Sequence, residues 1–151
     1  MSLSTYIADL KKALAGLSAP VREGPLERFI YVHADSYHEV ILVSDTDGIT
    51  KEPQDSLDRA VVTYPITIDV YVKQAPNGKD DEAIIRAREI FDLVFPALHD
   101  LHIFKRSDDR VTGSGQITDI EGGRMVSDEI NDGHYQARCN LVVFENYVQC
   151  R

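Results

Sequence analysis

Two adjacent stretches with different hydrophobic periods organise the chain. From Val61 to Val72 apolar and polar positions alternate. Val62, Tyr64, Ile66, Ile68, Val70 and Val72 share one parity, and Thr63, Thr67, Asp69 and Tyr71 share the other. A period of two, in β-branched and aromatic residues, predicts a strand with one buried and one outward face. From Asp80 onward the spacing lengthens to three and four. Ile84, Ala87, Phe91, Val94, Leu98 and Leu101 then fall on one stripe, which predicts an amphipathic helix. A strand followed by a helix that can cover it is the kernel of a two-layer domain.

The pattern extends to both sides of this kernel. Ile7, Leu10, Leu14 and Leu17 form a first helical stripe, with Ser4 as its expected N-cap and Ser18-Ala19-Pro20 as its end. Val21 to Leu26 reads as irregular or edge-like because it holds Gly24 and Pro25. Arg28 to His33 and Glu39 to Ser44 have the spacing of a hairpin around Ala34-Asp35-Ser36. Pro65 removes one ladder donor from the main strand, so it belongs at an edge, a bulge or a bend. Gln74 to Lys79 reads as a turn, after which Asp80, Asp81 and Glu82 supply a cap and negative charge for the second helix. Phe95-Pro96 predicts altered geometry in that helix's last turns. Arg110 to Ile120 reads as a strand loosened by Gly113 and Gly115. His134 to Phe144 alternates again, with Tyr135, Ala137, Cys139, Leu141 and Val143 on the apolar parity.

Between these elements lie two acidic stretches, Asp45 to Asp58 and Glu121 to Asp132, which read as long polar loops. Loops of that length in a compact domain commonly have a function. The expected fold class is α+β: a mainly antiparallel sheet with two helices packed on one face, in a single two-layer domain spanning 1–151. A chain of 151 residues, 43% hydrophobic and 27% charged, is long and apolar enough for one such core.

Sixteen basic against 25 acidic residues give a formal charge of −9, which argues against a nucleic-acid-binding surface. Met1-Ser2-Leu3-Ser4 lacks the basic and apolar regions of a secretory signal, and no apolar run approaches the ~20 residues of a membrane span. Synthesis in the cytoplasm is the expectation. Cys139 and Cys150 form neither a metal pattern nor a disulfide framework. Cys139 lies on the apolar parity and should be buried, whereas Cys150 should be exposed.

The histidines are His33, His38, His99, His102 and His134. His99 and His102 stand at i and i+3 near the end of the second helix, a spacing that can offer two imidazoles to one metal but lacks a third ligand nearby. Histidines there also suit the helix dipole without any metal. Asp45-Thr46-Asp47-Gly48 begins like a calcium loop, but Gly48 comes too early and no Glu closes a 12-residue loop. No nucleophile elbow or phosphate-binding glycine loop occurs. Gly113-Ser114-Gly115 is the nearest approach and reads as a bulge or strand end. The expectation is therefore no catalytic residues, no cofactor and no metal. A small metal-dependent enzyme using His99 and His102 and a monomeric binding module are the alternatives. The features left to carry function are the pair of acidic loops and the outward strand face, both suited to protein contacts.

Taken in order, the layout resembles the tail terminator (tail completion) proteins of long-tailed bacteriophages. The resemblance runs through the N-terminal helix, the Leu26–Ser44 strands, the acidic loop and the Ile66-Thr67-Ile68-Asp69-Val70-Tyr71-Val72 strand. It continues through a central helix around Ala87-Arg88-Glu89-Ile90-Phe91-Asp92-Leu93-Val94 to the closing Asp132-Gly133-His134-Tyr135-Gln136-Ala137-Arg138 strand. It implies a structural virion protein that forms a six-fold ring, caps the tail tube, ends its polymerisation and joins the tail to the neck. A related neck or head–tail joining protein is the near alternative. The implied partners are further copies of the chain, the tail tube protein, a neck or connector protein and, where the tail contracts, a sheath protein. DNA would pass through the channel without specific binding, and no membrane is involved. The implied location is the tail–neck junction of the virion. The contact residues that go with this reading are Asp45, Asp47, Lys51, Glu52 and Asp55 in the first loop, Glu121, Arg124, Asp128 and Glu129 in the second, and Tyr71 on the strand.

Overall fold

The computed structural model describes residues 3–25, 39–45, 54–56, 59–74, 81–107, 109–125 and 132–146. The alternating stretch is a 14-residue strand, β4 (Arg59–Val72), and it is the centre of the fold. Along its whole length it pairs antiparallel with β7 (Gly133–Asn146), from Arg59↔Asn146 to Val72↔Gly133. Its other side pairs with β2 (Glu39–Asp45) over Ile66 to Val72. The short β3 (Gln54–Ser56) pairs with the beginning of β4. Outward from β7 come β6 (Arg110–Arg124) and β5 (His102–Ser107), and outward from β2 comes β1 (Val21–Glu23). The sheet order is β1-β2-β4-β7-β6-β5. Among the described residues only the β1–β2 pair is parallel, so the sheet is mixed and mostly antiparallel.

Among the described residues two helices, α1 (Leu3–Leu14) and α2 (Glu82–His99), cover one face. Tyr6, Ile7, Leu10 and Leu14 from α1 are buried, as are Ala83, Ile84, Ala87, Ile90, Phe91, Val94 and Leu98 from α2. They pack in one core with Ile41, Val43, Ile66, Ile68, Val70 and Val72, and with Ala137, Cys139, Leu141 and Val143 of β7. The α+β, two-layer architecture with both helices on one face is the expected one. Ser4 lies inside the first turn of α1, so it is not the N-cap. Ser18, at φ 74°, turns the chain from α1 toward β1.

Several local expectations are revised by packing. Asp81 occupies the N-cap of α2 in a left-handed conformation, and its side chain makes no capping bond. The backbone N–H of Ala83 donates instead to Gln74 Oε1 at 3.1 Å, so a side chain from the end of β4 performs the cap. The helix runs through Pro96 to His99, with Asp100 N–H donating to the Pro96 carbonyl at 3.1 Å. Pro65 sits where β2 has just ended opposite Ile66, a local edge where a missing donor breaks no β2–β4 bond. Glu121 to Arg124 are strand residues, not loop: β6 continues through a bulge between Thr118 and Glu121, where Asp119 takes φ 53°. That extra residue flips the parity of the rest of the strand and brings Gly122 beneath Phe91, where a Cβ would stand 3.0 Å from the ring. β3 lies within the predicted Asp45–Asp58 loop. The predicted Arg28–His33 strand lies outside the described residues.

Ion pairs tie the periphery to this core. Lys105 of β5 points toward the helix layer, where it binds the Asp9 carboxylate of α1 and lies 5.4 Å from the centre of the Tyr6 ring. Arg86 Nε of α2 donates to Glu39 Oε2 of β2 at 2.5 Å, and its guanidinium is raised further above its ordinary range chiefly by that bond. Arg88 Nε donates to Tyr135 Oη at 3.0 Å.

Candidate functional site

The sheet face away from the helices carries the polar side chains. The second parity of β4 was expected to point outward, yet Thr67, Asp69 and Tyr71 are buried, as are their neighbours Val40 and Leu42 on β2. Asp69 tolerates this because it has cross-strand partners on β7, and the Tyr71 hydroxyl because it bonds Asp132. Asp69 Oδ1 lies 2.6 Å from His134 Nε2 and accepts a bond from Gln136 Nε2 at 2.9 Å. Gln136 Oε1 in turn accepts from Arg138 Nε at 3.2 Å. A carboxylate, an amide and a guanidinium are thus linked in a line across β4 and β7, a fixed arrangement rather than a set of independent surface side chains.

At the end of this row Asp132 acts as a clamp. Its Oδ2 accepts a short hydrogen bond from the Tyr71 hydroxyl, and its Oδ1 accepts from the Gln74 backbone N–H at 2.7 Å. Since Gln74 caps α2, one carboxylate fixes the start of β7, the end of β4 and, through Gln74, the start of the helix. Further along, Asn140 Nδ2 donates to Asp119 Oδ2 at 3.0 Å across the bulge. There Pro65, Thr67, Asp119, Glu121, Arg138 and Asn140 line an open groove of about 580 Å³. Beyond the groove the same face turns apolar toward β5, with Phe104 and Phe144 exposed and the His102 ring stacked on Phe104.

Two groups on or under this face have shifted ionisation. Burial pushes the Cys139 thiol up from 9.0 to about 12. The Tyr71 phenol is also raised above its ordinary 10.0, first by burial and then by the bond to Asp132. In both cases the folded state holds a proton that the unfolded chain releases at lower pH, so stability falls as pH rises through the alkaline range. The urea midpoint is expected to decline from about pH 9 upward. Replacing Cys139 by alanine and Tyr71 by phenylalanine should flatten that decline. An equal slope in the double variant would contradict it.

Among the predicted contact residues, Asp45 is exposed at the end of β2, and Glu121 is exposed on β6 opposite Arg138, at the groove. Arg124 is exposed at the end of β6 opposite Tyr135. Asp55 lies in β3. Tyr71 is buried with its hydroxyl committed to Asp132. Asp47, Lys51, Glu52, Asp128 and Glu129 lie outside the described residues, as does Cys150. Glu121 thus meets the Arg138 row, while Asp45 and Arg124 end different strands. The polar row of Asp69, His134, Gln136 and Arg138 was not singled out from sequence. The even positions of β7 could have shown it, because His134, Gln136, Arg138 and Asn140 are all polar and must share a face.

His99 and His102 fall on different elements, the end of α2 and the start of β5, so they do not share the helical turn their spacing implied. Cys139 is buried as expected. Among the described residues no three His, Cys, Asp or Glu side chains are grouped to hold a metal ion, and no helix is long and apolar enough to cross a membrane. The chain matches no protein-family model, and no curated protein matches it.

Proposed function

We propose that this protein is a ring-forming structural component of the tail–neck junction of a long-tailed bacteriophage, one that caps the tail tube and stops its growth. The observation that supports the reading most is the asymmetry of the two sheet faces. One is filled by α1 and α2. The other is already buried around Asp69 and Tyr71, and beyond them it exposes the Arg138 end of the polar row, a groove and two aromatics. A face pre-ordered by cross-strand bonds loses little side-chain freedom when another surface covers it, which favours a docking role. The order of the described elements, with α1 first, β4 followed by α2, and β7 last, is consistent with this reading. The net charge of −9 would suit a channel along which DNA slides without sticking.

The mechanism is assembly. One subunit contact repeated around a closed ring stops at closure, and the two ring faces then differ, one matching the last tube ring and the other receiving the neck. The test is to add the protein to polymerising tail tube protein and measure tube lengths by negative-stain imaging. Shorter tubes carrying one extra ring at an end are the expected result. Unchanged lengths with no end density would overturn the capping role, and binding to the connector alone would favour a neck or head–tail joining protein.

A further inference from the structure

We propose that copies of this chain associate head to tail, the outer side of α2 in one copy seating on the aromatic strip between β5 and β7 of the next. The inference rests on the ring reading and names its contact. Alternation along β5 places His102, Phe104 and Arg106 on the open sheet face, all exposed, while Ile103 is buried and Lys105 reaches α1. Register sets Phe104 beside Ser114, Ser114 beside Phe144 and Phe144 beside Val61 in one row across four strands. Phe104 is 57% exposed and Phe144 46%. Small Ser114 between them leaves a trough flanked by two phenyl rings about 10 Å apart, two strand spacings.

The complementary patch lies on the opposite layer. On α2, Ile85 is 48% and Leu93 46% exposed, with exposed Glu89 between them at i+4. Eight residues of helix separate the two aliphatics by about 12 Å, close to the spacing of the phenyl rings. The charges also match: among the exposed charges of α2, Glu82, Glu89 and Asp92 outnumber Arg88, and Arg106 flanks Phe104. Because the patches are on opposite sides of a two-layer domain, a two-fold pair cannot bury both at once. A repeating heterologous contact can, and such a contact closes into a ring when its rotation allows. Edge-to-edge strand pairing is disfavoured at β5, which is six residues long, is bulged against β6 and has the inward-pointing Lys105.

Site-directed cross-linking tests this. In a Cys150→Ser background, Phe104→Cys and Leu93→Cys proteins are mixed and mildly oxidised, and each is also oxidised alone. The expected product is the mixed dimer, with little homodimer of either, and the double variant should give a ladder. A dominant Phe104→Cys homodimer would overturn the contact in favour of face-to-face pairing. A ring-sized mass without the mixed dimer would overturn the contact and leave the ring. A monomer without any cross-link, both alone and after incubation with tail tube protein, would overturn both. Phe104→Asp, at an exposed position, should keep the native circular dichroism while weakening assembly at least tenfold. Unchanged assembly in that variant would also count against the contact.

Discussion

Replacing Gly133 by valine is expected to destabilise the fold by about 3 kcal/mol, at the upper end of the range for overpacking. A Cβ at Gly133 would stand 2.2 Å from the Ala83 carbonyl oxygen, 2.7 Å from its carbon and 2.7 Å from Ala87 Cβ. Two of these three atoms are backbone in the first turn of α2, so no rotamer change relieves the clash. The helix would have to lift from β7. Lifting it would also strain the Gln74 cap and the Asp132 clamp, which hold the same corner. Gly123 is the control, since a Cβ there meets nothing within 4 Å. Urea midpoints of Gly133→Val and Gly123→Ala should differ widely. A Gly133→Val protein within about 0.5 kcal/mol of the parent would show that this corner packs differently.

Phe91→Ala is expected to cost about 3–5 kcal/mol. Phe91 is buried and joins three elements. Its ring packs edge-on against Phe95 with centroids 5.3 Å apart, lies 5.1 Å from the Tyr135 ring of β7, and covers Gly122 of β6. Truncation removes the aromatic contacts and leaves a cavity that the glycine beneath cannot fill. Phe91→Leu should recover most of the loss, because it restores volume without the ring contacts. Thermal and urea unfolding monitored by circular dichroism would check both. Equal stability of the alanine and leucine variants would mean that the site collapses around the gap.

The parts of the fold legible in sequence are those whose core-facing residues keep one simple period. α2, the core parity of β4 and the buried parity of β7 each follow a simple period, and the structure bears them out. β5 is not legible as a strand, because Lys105 sits on its inward parity and is tolerated there through Asp9, 96 residues away, and the Tyr6 ring. The end of β6 looks like loop because Gly122 and Gly123 lower strand propensity. Gly122 is there for the approach of Phe91 and the chain at Ala137, a tertiary cause. The same limit hides the polar row. Asp69 alone looks like a surface carboxylate, and its burial is explained only when register brings His134 and Gln136 beside it, 65 and 67 residues on. Histidine spacing misleads in the other direction, since the helix ends between His99 and His102.

The proposed function requires the chain to work as a ring. Its most direct test is the mass in solution by multi-angle light scattering, across a concentration series and again after incubation with tail tube protein. A species at six times the 17.0 kDa chain mass, with a central hole in negative stain, is the predicted result. A protein that stays monomeric at every concentration and also beside the tube would contradict it.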